Sequence, residues 1–563
     1  MQQYLKYVRL VISTVMLMML GFLFVDFSES LSSSWYRGLT WLQFVPSLMM
    51  FLQTMGHGLA VTAYGFIVVL TFTLLFGRVY CSYICPLGIF QDVINWCSVK
   101  VRSTGKKKFR FRFAPPKTRL RYAILIIVFL SLFTGSLFLL NLLEPYSNFG
   151  RFASDLFRPL YIMGNNLLVK LFVSFGSYIL YPVTVAHTDP VAFIVPVSMF
   201  GLVVWLSVWR GRLYCNTVCP VGTLLGFISK ASLYKIRFDD AECNRCGKCM
   251  FACKSQCIDV KNREVDFSRC VGCGNCIQSC DKNAIRYSPA HAHKTVEVAR
   301  KTVEVQQSKT DTLKRNFVFN SALLITALSG LFSFRLSAQP FVRYSQNRRI
   351  RRRMMRRRAA DMDALHEAGS GIGQTECVAA HAVTPPGSQS TKHFTQACTA
   401  CHLCISACPT KVLQPSLLEH GFFGMMQPHM DYDISFCNYE CTRCSEICPN
   451  GAILPLTVEN KLTTQIGVAR FEKLNCVVYV DETSCGSCAE HCPTKAVRMV
   501  PYKGVLTIPE TTPEICVGCG ACEYACPSTP YKAIVVDGHP EHKTAKIPEE
   551  TELEIKPLDD FPF

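Results

Sequence analysis

Six runs of cysteine, most spaced two or three residues apart, restrict this chain to folds that wrap metal clusters. The first two are CNRCGKCMFAC (Cys243, Cys246, Cys249, Cys253) and CVGCGNCIQSC (Cys270, Cys273, Cys276, Cys280). C-x2-C-x2-C-x3-C is the ligand spacing of paired 4Fe-4S clusters, in which the fourth cysteine of each run crosses to the other cube. Spacing therefore assigns Cys243, Cys246, Cys249 and Cys280 to one cluster, and Cys270, Cys273, Cys276 and Cys253 to the other. Lys254 and Asp281 replace the proline that usually follows the fourth cysteine. Cys257 is an extra thiol that could compete with Cys253, which the spacing favours.

Four more runs follow near the C-terminus. They are Cys398, Cys401, Cys404 and Cys408; then Cys437, Cys441, Cys444 and Cys448; then Cys476, Cys485, Cys488 and Cys492; and finally Cys516, Cys519, Cys522 and Cys526. The widened first gaps of the second and third runs are insertions that a turn absorbs. Sixteen cysteines make four clusters and bring the expected total to six, but spacing leaves open which fourth cysteine crosses to which partner. A disulfide framework belongs to short secreted chains and would not repeat this interval.

Seven of the 31 cysteines remain. Cys97 and Cys377 receive no role, and Cys257 is the competing thiol already named. The other four lie in GRVYCSYICPLG (77–88) and GRLYCNTVCPVG (211–222), which repeat one pattern 134 residues apart. Gly77, Arg78, Tyr80, Cys81, Cys85, Pro86 and Gly88 align with Gly211, Arg212, Tyr214, Cys215, Cys219, Pro220 and Gly222. On a helix C-x3-C puts both sulfurs on one face, so two such ends meeting at a repeat interface could hold one iron-sulfur site. A redox-active dithiol and a purely structural Cys-Pro helix start are the alternatives. CTACH (398–402) also fits a haem attachment signal, but Cys404 and Cys408 complete the ferredoxin spacing, which leaves His402 as a surface residue or a neighbour of the cluster. The Met and His of HGFFGMMQPHM (420–430) suggest copper or, more simply, a loop between clusters.

At 49% apolar and a mean hydropathy of +0.20, part of the chain should lie in a bilayer. Apolar stretches near 9–25, 58–76, 122–142 and 190–209 approach the length of about 20 residues that a spanning helix needs; 316–337 is weaker. An extra span at 166–187 would upset the topology. The net charge of +18 is concentrated in two blocks, 100–121 and RRIRRRMMRRR at 348–358. The first lies between apolar segments and reads as a cytoplasmic loop; the second reads as a solvated basic linker near anionic lipid rather than a nucleic-acid surface. No dinucleotide turn, P-loop or nucleophile elbow stands in a suitable context, so no catalytic residue is assigned.

With these motifs, residues 1 to about 290 resemble the membrane ferredoxins of the NapH and NosR type, and residues about 314 to 540 resemble the NapG type. The resemblance implies quinol oxidation at the membrane and delivery of electrons to a terminal reductase or its cytochrome. It implies an oxidoreductase component rather than a stand-alone enzyme. No flavin attachment signal is present, and neither haem nor flavin is expected. An assembly or copper-reducing factor for another redox enzyme is the alternative function. The expected fold is an α-helical membrane domain of duplicated two-span units with α+β bacterial-ferredoxin-like 4Fe-4S domains. Its parts are a polytopic membrane domain (1–232), a two-cluster ferredoxin (233–295), a linker with the fifth apolar segment (296–345), a basic linker (346–390), a four-cluster polyferredoxin (391–540) and a tail (541–563). The location is a bacterial cytoplasmic membrane, with 233–295 cytoplasmic. KRNFVFNSALLITALSGLFSF (314–334) resembles a twin-arginine export signal with Lys314 for the first Arg, which puts 391–540 in the periplasm.

Overall fold

The computed structural model describes residues 4–26, 32–54, 64–103, 111–183, 193–239, 241–289 and 379–547. The apolar stretch 316–337, the export-like segment 314–334, the arginine block and Cys377 lie outside the described residues. So do the first residues of the stretches at 58–76 and 190–209.

The uninterrupted apolar run at the start forms α1 (Leu5–Val25), about 30 Å long at about 1.5 Å per residue. Among the described residues it is the one helix long and apolar enough to cross a membrane. The first half continues with α2 (Ser33–Trp41), α3 (Phe44–Thr54), α4 (Gly65–Phe76), the short α5 (Tyr80–Tyr83) and α6 (Pro86–Arg102). The second half has α7 (Thr118–Phe133), α8 (Phe138–Leu143), α9 (Pro145–Arg151), α10 (Arg158–Ser174), α11 (Ile194–Arg210) and α12 (Pro220–Ser229). A π-helical turn, Tyr214–Val218, stands where the first half has α5. The stretch expected as one span over 122–142 is broken instead, because Gly135 adopts φ +82° between α7 and α8. Over the described part of 166–187, which ends at Val183, the helix α10 stops before Gly176, at φ +73°.

The two halves exchange helices. In each, the helix after the Cys-Pro pair packs on the first helix of its own half and on the helix that precedes the motif in the other: α6 on α1 and α11, α12 on α7 and α4. The outward sides carry large exposed apolar side chains, among them Val11, Val15 and Met18 of α1, Ile126, Ile127 and Leu130 of α7, and Met163, Leu167 and Leu171 of α10.

Two cysteine-rich domains sit at opposite ends of α1. The first is built on the antiparallel pair Tyr234–Phe238 and Ile285–Pro289 and meets the N-terminal end, where Gln278 Nε2 donates to Tyr7 Oη at 3.0 Å. The second spans 379–547 around the antiparallel pair Thr464–Phe471 and Ile534–Thr544. It meets the helical body beside the other end of α1: Asn141 Nδ2 donates to Cys398 O at 3.1 Å, and Cys401, Leu403 and Ile447 share a core with Phe24.

Asp92 of α6 joins three parts of the chain. Its carboxylate pairs with Arg9 of α1 at 2.9 Å, Arg212 of the second motif at 2.7 Å and Lys254 of the first cysteine-rich domain at 2.8 Å. Removing one member of a buried ion set costs about 3–5 kcal/mol, because the partners keep their charge without their hydration. Asp92→Asn is therefore expected to destabilise the purified protein by about that amount, read as a lowered thermal midpoint in detergent. An unchanged midpoint would remove Asp92 from this joint.

Candidate iron-sulfur centres

The duplicated motif builds one buried site. Cys81, Cys85, Cys215 and Cys219 are each at most 3% exposed, and the other three lie close enough to act electrostatically on Cys85. Cys85 and Cys219 cap α6 and α12 with extended backbone, and the prolines that follow take the first helical position, the conformations that an X-Pro pair at a helix start favours. Gly88 and Gly222 pass so near that a Cβ would lie 2.2 Å from the carbonyl oxygens of Cys81 and Cys215 respectively. The arginines cross between copies: Arg78 Nη2 donates to Cys215 O at 3.2 Å, and Arg212 Nη1 to Cys81 O at 2.8 Å. Tyr80 is held by Gln43, and Tyr214 by Leu143 O and Asn148.

The copies differ in charge. Arg212 has Asp92, whereas the partners of fully buried Arg78 are Asn216 Oδ1, Ser268 O, Cys215 O and Cys81 Sγ, none of them a carboxylate. A buried cation so placed favours thiolate beside it. Gln91 Nε2 adds a donor at 3.1 Å to Cys215 Sγ. The set therefore suits a group that takes cysteine as thiolate.

In the first cysteine-rich domain Cys243, Cys246, Cys249 and Cys280 line one cavity. Cys253, Cys270, Cys273 and Cys276 line a second, together with Cys257. Cys257 Sγ lies 3.5 Å from Cys253 Sγ; this contact pulls the Cys253 thiol down to about 7 against the upward push of burial. Cys257 also hydrogen-bonds Cys270, so it lies between two members of the set. It occupies the position that Ala284, Ala452 and Ala496 fill four residues after the last cysteine of other runs, a buried place for a small side chain.

The structure also groups the C-terminal cysteines, whose partners spacing left open. Cys448 faces Cys398, Cys401 and Cys404, and Cys408 faces Cys437, Cys441 and Cys444. Cys476, Cys485, Cys488 and Cys526 line a third cavity, and Cys492 stands with Cys516, Cys519 and Cys522. The first run thus exchanges with the second, and the third with the fourth. Burial pushes the thiols of Cys401, Cys488 and Cys519 up to about 12, so each stays protonated at neutral pH unless a metal takes the proton's place. Among the described residues no three Cys, His, Asp or Glu side chains close in tightly enough for one bare ion. Thiolates on separate irons of a cube stand further apart than ligands sharing a single ion.

His402 is not at the surface. It is 1% exposed at φ +63°, where Gly247, Gly274 and Gly520 stand in other runs. That backbone is unfavourable for a side chain, and here the side chain bridges two parts of the protein. Nδ1 lies 2.9 Å from Asp155 Oδ2 and Nε2 lies 2.9 Å from Met426 O. Both ring nitrogens are thus engaged by oxygens of the protein. Nearby, the buried hydroxyl of Tyr146 has no hydrogen-bond partner among the described residues and lies within electrostatic reach of Cys401 and Cys448. In the Met- and His-containing segment, His420 Nε2 bonds Pro428 O, and burial pushes this imidazole down to about 4, as for a neutral packed side chain. Cys97 is exposed. Asp92 and the pairing of Asp155 with His402 escaped sequence reasoning, which offered no partner for a lone acid in an apolar stretch; Tyr146 stood there only as one of the loop aromatics, with Trp35 and Tyr36, for quinol contact or interfacial anchoring.

The family comparisons fall on the same residues. A model described as a 4Fe-4S binding domain matches 60–112 and again 191–238. Two models described as 4Fe-4S dicluster domains match 397–453 and 483–530, and a further 4Fe-4S binding domain model matches 263–286. The ferredoxin-type protein NapF of Escherichia coli K12 is 29% identical over 162 residues, 29% of this chain and 90% of that protein. NapG of the same organism is 27% identical over 188 residues, 31% of this chain and 80% of its own length. The methylamine utilization ferredoxin-type protein MauM of Methylophilus methylotrophus is 32% identical over 161 residues, 26% of this chain and 67% of its own. No solved structure matches. With several 4Fe-4S domains and relatives of this kind, the chain belongs to the ferredoxin-type iron-sulfur electron-transfer proteins.

Proposed function

We propose that this protein spans a bacterial cytoplasmic membrane and carries electrons from quinol to a reductase, through two ferredoxin domains joined by the duplicated cysteine site. The observation that carries the reading is that site's place in the fold. Ser82 and Arg78 of the first motif bond the backbone of Val271 and Ser268 in one cysteine-rich domain. Tyr214 of the second motif bonds Leu143 O, just before α9, whose Arg151 bonds Ala400 O in the other domain. The exposed apolar side chains of α1, α7 and α10 form the kind of surface that marks a membrane contact. The segments that would complete further spans lie partly outside the described residues.

Each of the six four-cysteine sets would hold one 4Fe-4S cluster, and Cys81, Cys85, Cys215 and Cys219 a further iron-sulfur site. Such clusters supply one-electron exchange at potentials tuned by charge, hydrogen bonds to sulfur and solvent exposure. The protein's own part is to hold the thiols as thiolates and keep water away. Arg78 supplies an uncompensated positive charge, Gln91 a donor to sulfur, and Tyr80 and Tyr214 close the site on either side. The domain at 241–289 would face the cytoplasm and that at 379–547 the periplasm, since they adjoin opposite ends of a helix about 30 Å long.

Anaerobically purified protein is expected to hold about 24 iron atoms per chain in the six sets, with an excess that disappears in the Cys81→Ser, Cys215→Ser double variant. An iron content unchanged by the double substitution would leave the duplicated motif a dithiol or a helix-shaping element. Menaquinol added without oxygen should bleach the visible cluster absorbance; intact clusters that stay oxidised would sink the quinol assignment. An alkaline phosphatase fused after the C-terminus should be active in cells, and a fluorescent protein there should be bright only if exported already folded. Fluorescence with no phosphatase activity and no export would put the C-terminal domain inside.

A further inference from the structure

A cavity of about 300 Å³ lies where α1, α2 and α10 meet the C-terminal domain, at the lower end of the volumes that hold small molecules. Asp26, Tyr36, Arg158, Cys408, Lys411 and Arg443 form its chemically distinctive lining. We propose that this cavity binds the headgroup of a quinol, which deepens the quinol reading above and rests on it.

Three observations favour a quinol over other occupants. The first is access from an apolar surface. Phe22, Trp35, Leu160 and Tyr161 expose large side chains beside the lining residues in sequence, so an isoprenoid tail has a surface to follow. The second is the donor set. Arg158 and Lys411 bring positive charge, Asp26 a carboxylate, and the Arg443 guanidinium lies 5.1 Å over the Tyr36 ring. The buried Nε of Arg158 has no hydrogen-bond partner among the described residues. Cations suit the oxygens of a quinol, and a carboxylate can accept a hydrogen bond from one of its hydroxyls. The third is the wall. Cys408 belongs to the set formed with Cys437, Cys441 and Cys444, and its charge bears on Arg158. A lipid headgroup needs no such neighbour, whereas a redox carrier must lie beside one.

The test uses the full-length protein in phosphatidylcholine nanodiscs and 2-heptyl-4-hydroxyquinoline N-oxide, a fluorescent quinol analogue quenched on binding. Wild type should bind a single probe per chain. Arg158→Met should weaken binding at least about tenfold, the loss of one charge-assisted hydrogen bond, and Asp26→Asn should weaken it less. Iron content and bleaching by dithionite should match wild type, which shows that the variants fold. Equal binding by wild type and both variants, or no binding by wild type, overturns the site. So does loss of probe binding when phosphatidylglycerol is added to the discs, which makes the cavity an anionic lipid seat. Bleaching by menaquinol is scored separately: if wild type bleaches while the variants bind and bleach normally, quinol oxidation stands and only its location falls.

Discussion

The crossed arginines are the constraint on which the rest depends. Arg78 and Arg212 are fully buried, and each spends a donor on the backbone of the other copy's first motif cysteine. Guanidinium stays charged in essentially any protein environment, so both positive charges must be met inside the fold. Asp92 meets one. For the other the neighbourhood offers carbonyls, an amide and sulfur, and this makes the four motif thiols part of the charge balance as well as of the shape. Exchange of helices between halves is the packing counterpart: neither half encloses the cysteines alone.

Around that centre the described residues form a succession of sulfur sets. Arg9, Arg212 and Lys254 converge on Asp92 between the motif and the set containing Cys273. Towards the opposite end, Tyr146 is surrounded by Glu144, Cys401 and Cys448. Within the C-terminal domain, Cys437 N bonds Cys519 O at 2.9 Å, and the charge of both cysteines reaches Tyr432. This contact joins the set of the second run to that of the fourth. Cross-exchange within each pair and a backbone bridge between pairs give the four sets a continuous order.

Much of this was legible from cysteine spacing, because a run of three closely spaced cysteines carries its own geometry and the fourth is displaced by a short, regular distance. Spacing grouped Cys280 with Cys243, Cys246 and Cys249, and the fold brings those four to one cavity. It could not say whether Cys408 turns to the second run or a later one, since that depends on how two-run units stack. The alignment of 77–88 with 211–222 picked out the four thiols, the crossed arginines and the glycines whose hydrogens alone fit against a carbonyl, but not Gln91 or Asp92, which lie beyond the repeat. Hydropathy served less well. It ran α7 and α8 together across Gly135, because a single φ-positive residue scarcely alters an average over twenty. It also gave no hint of His402, whose partner Asp155 lies 247 positions away.

The exchanged helices impose an order on biosynthesis. Cys81 and Cys85 leave the ribosome 134 residues ahead of Cys215 and Cys219 respectively, a delay of roughly 7 to 27 s at about 5–20 residues per second. Through that interval α6 has no α11 to lean on, and Arg78 has neither Asn216 nor Ser268 to receive its hydrogens. The early half thus carries its two thiols and its cation without the partners that complete the site until its twin arrives.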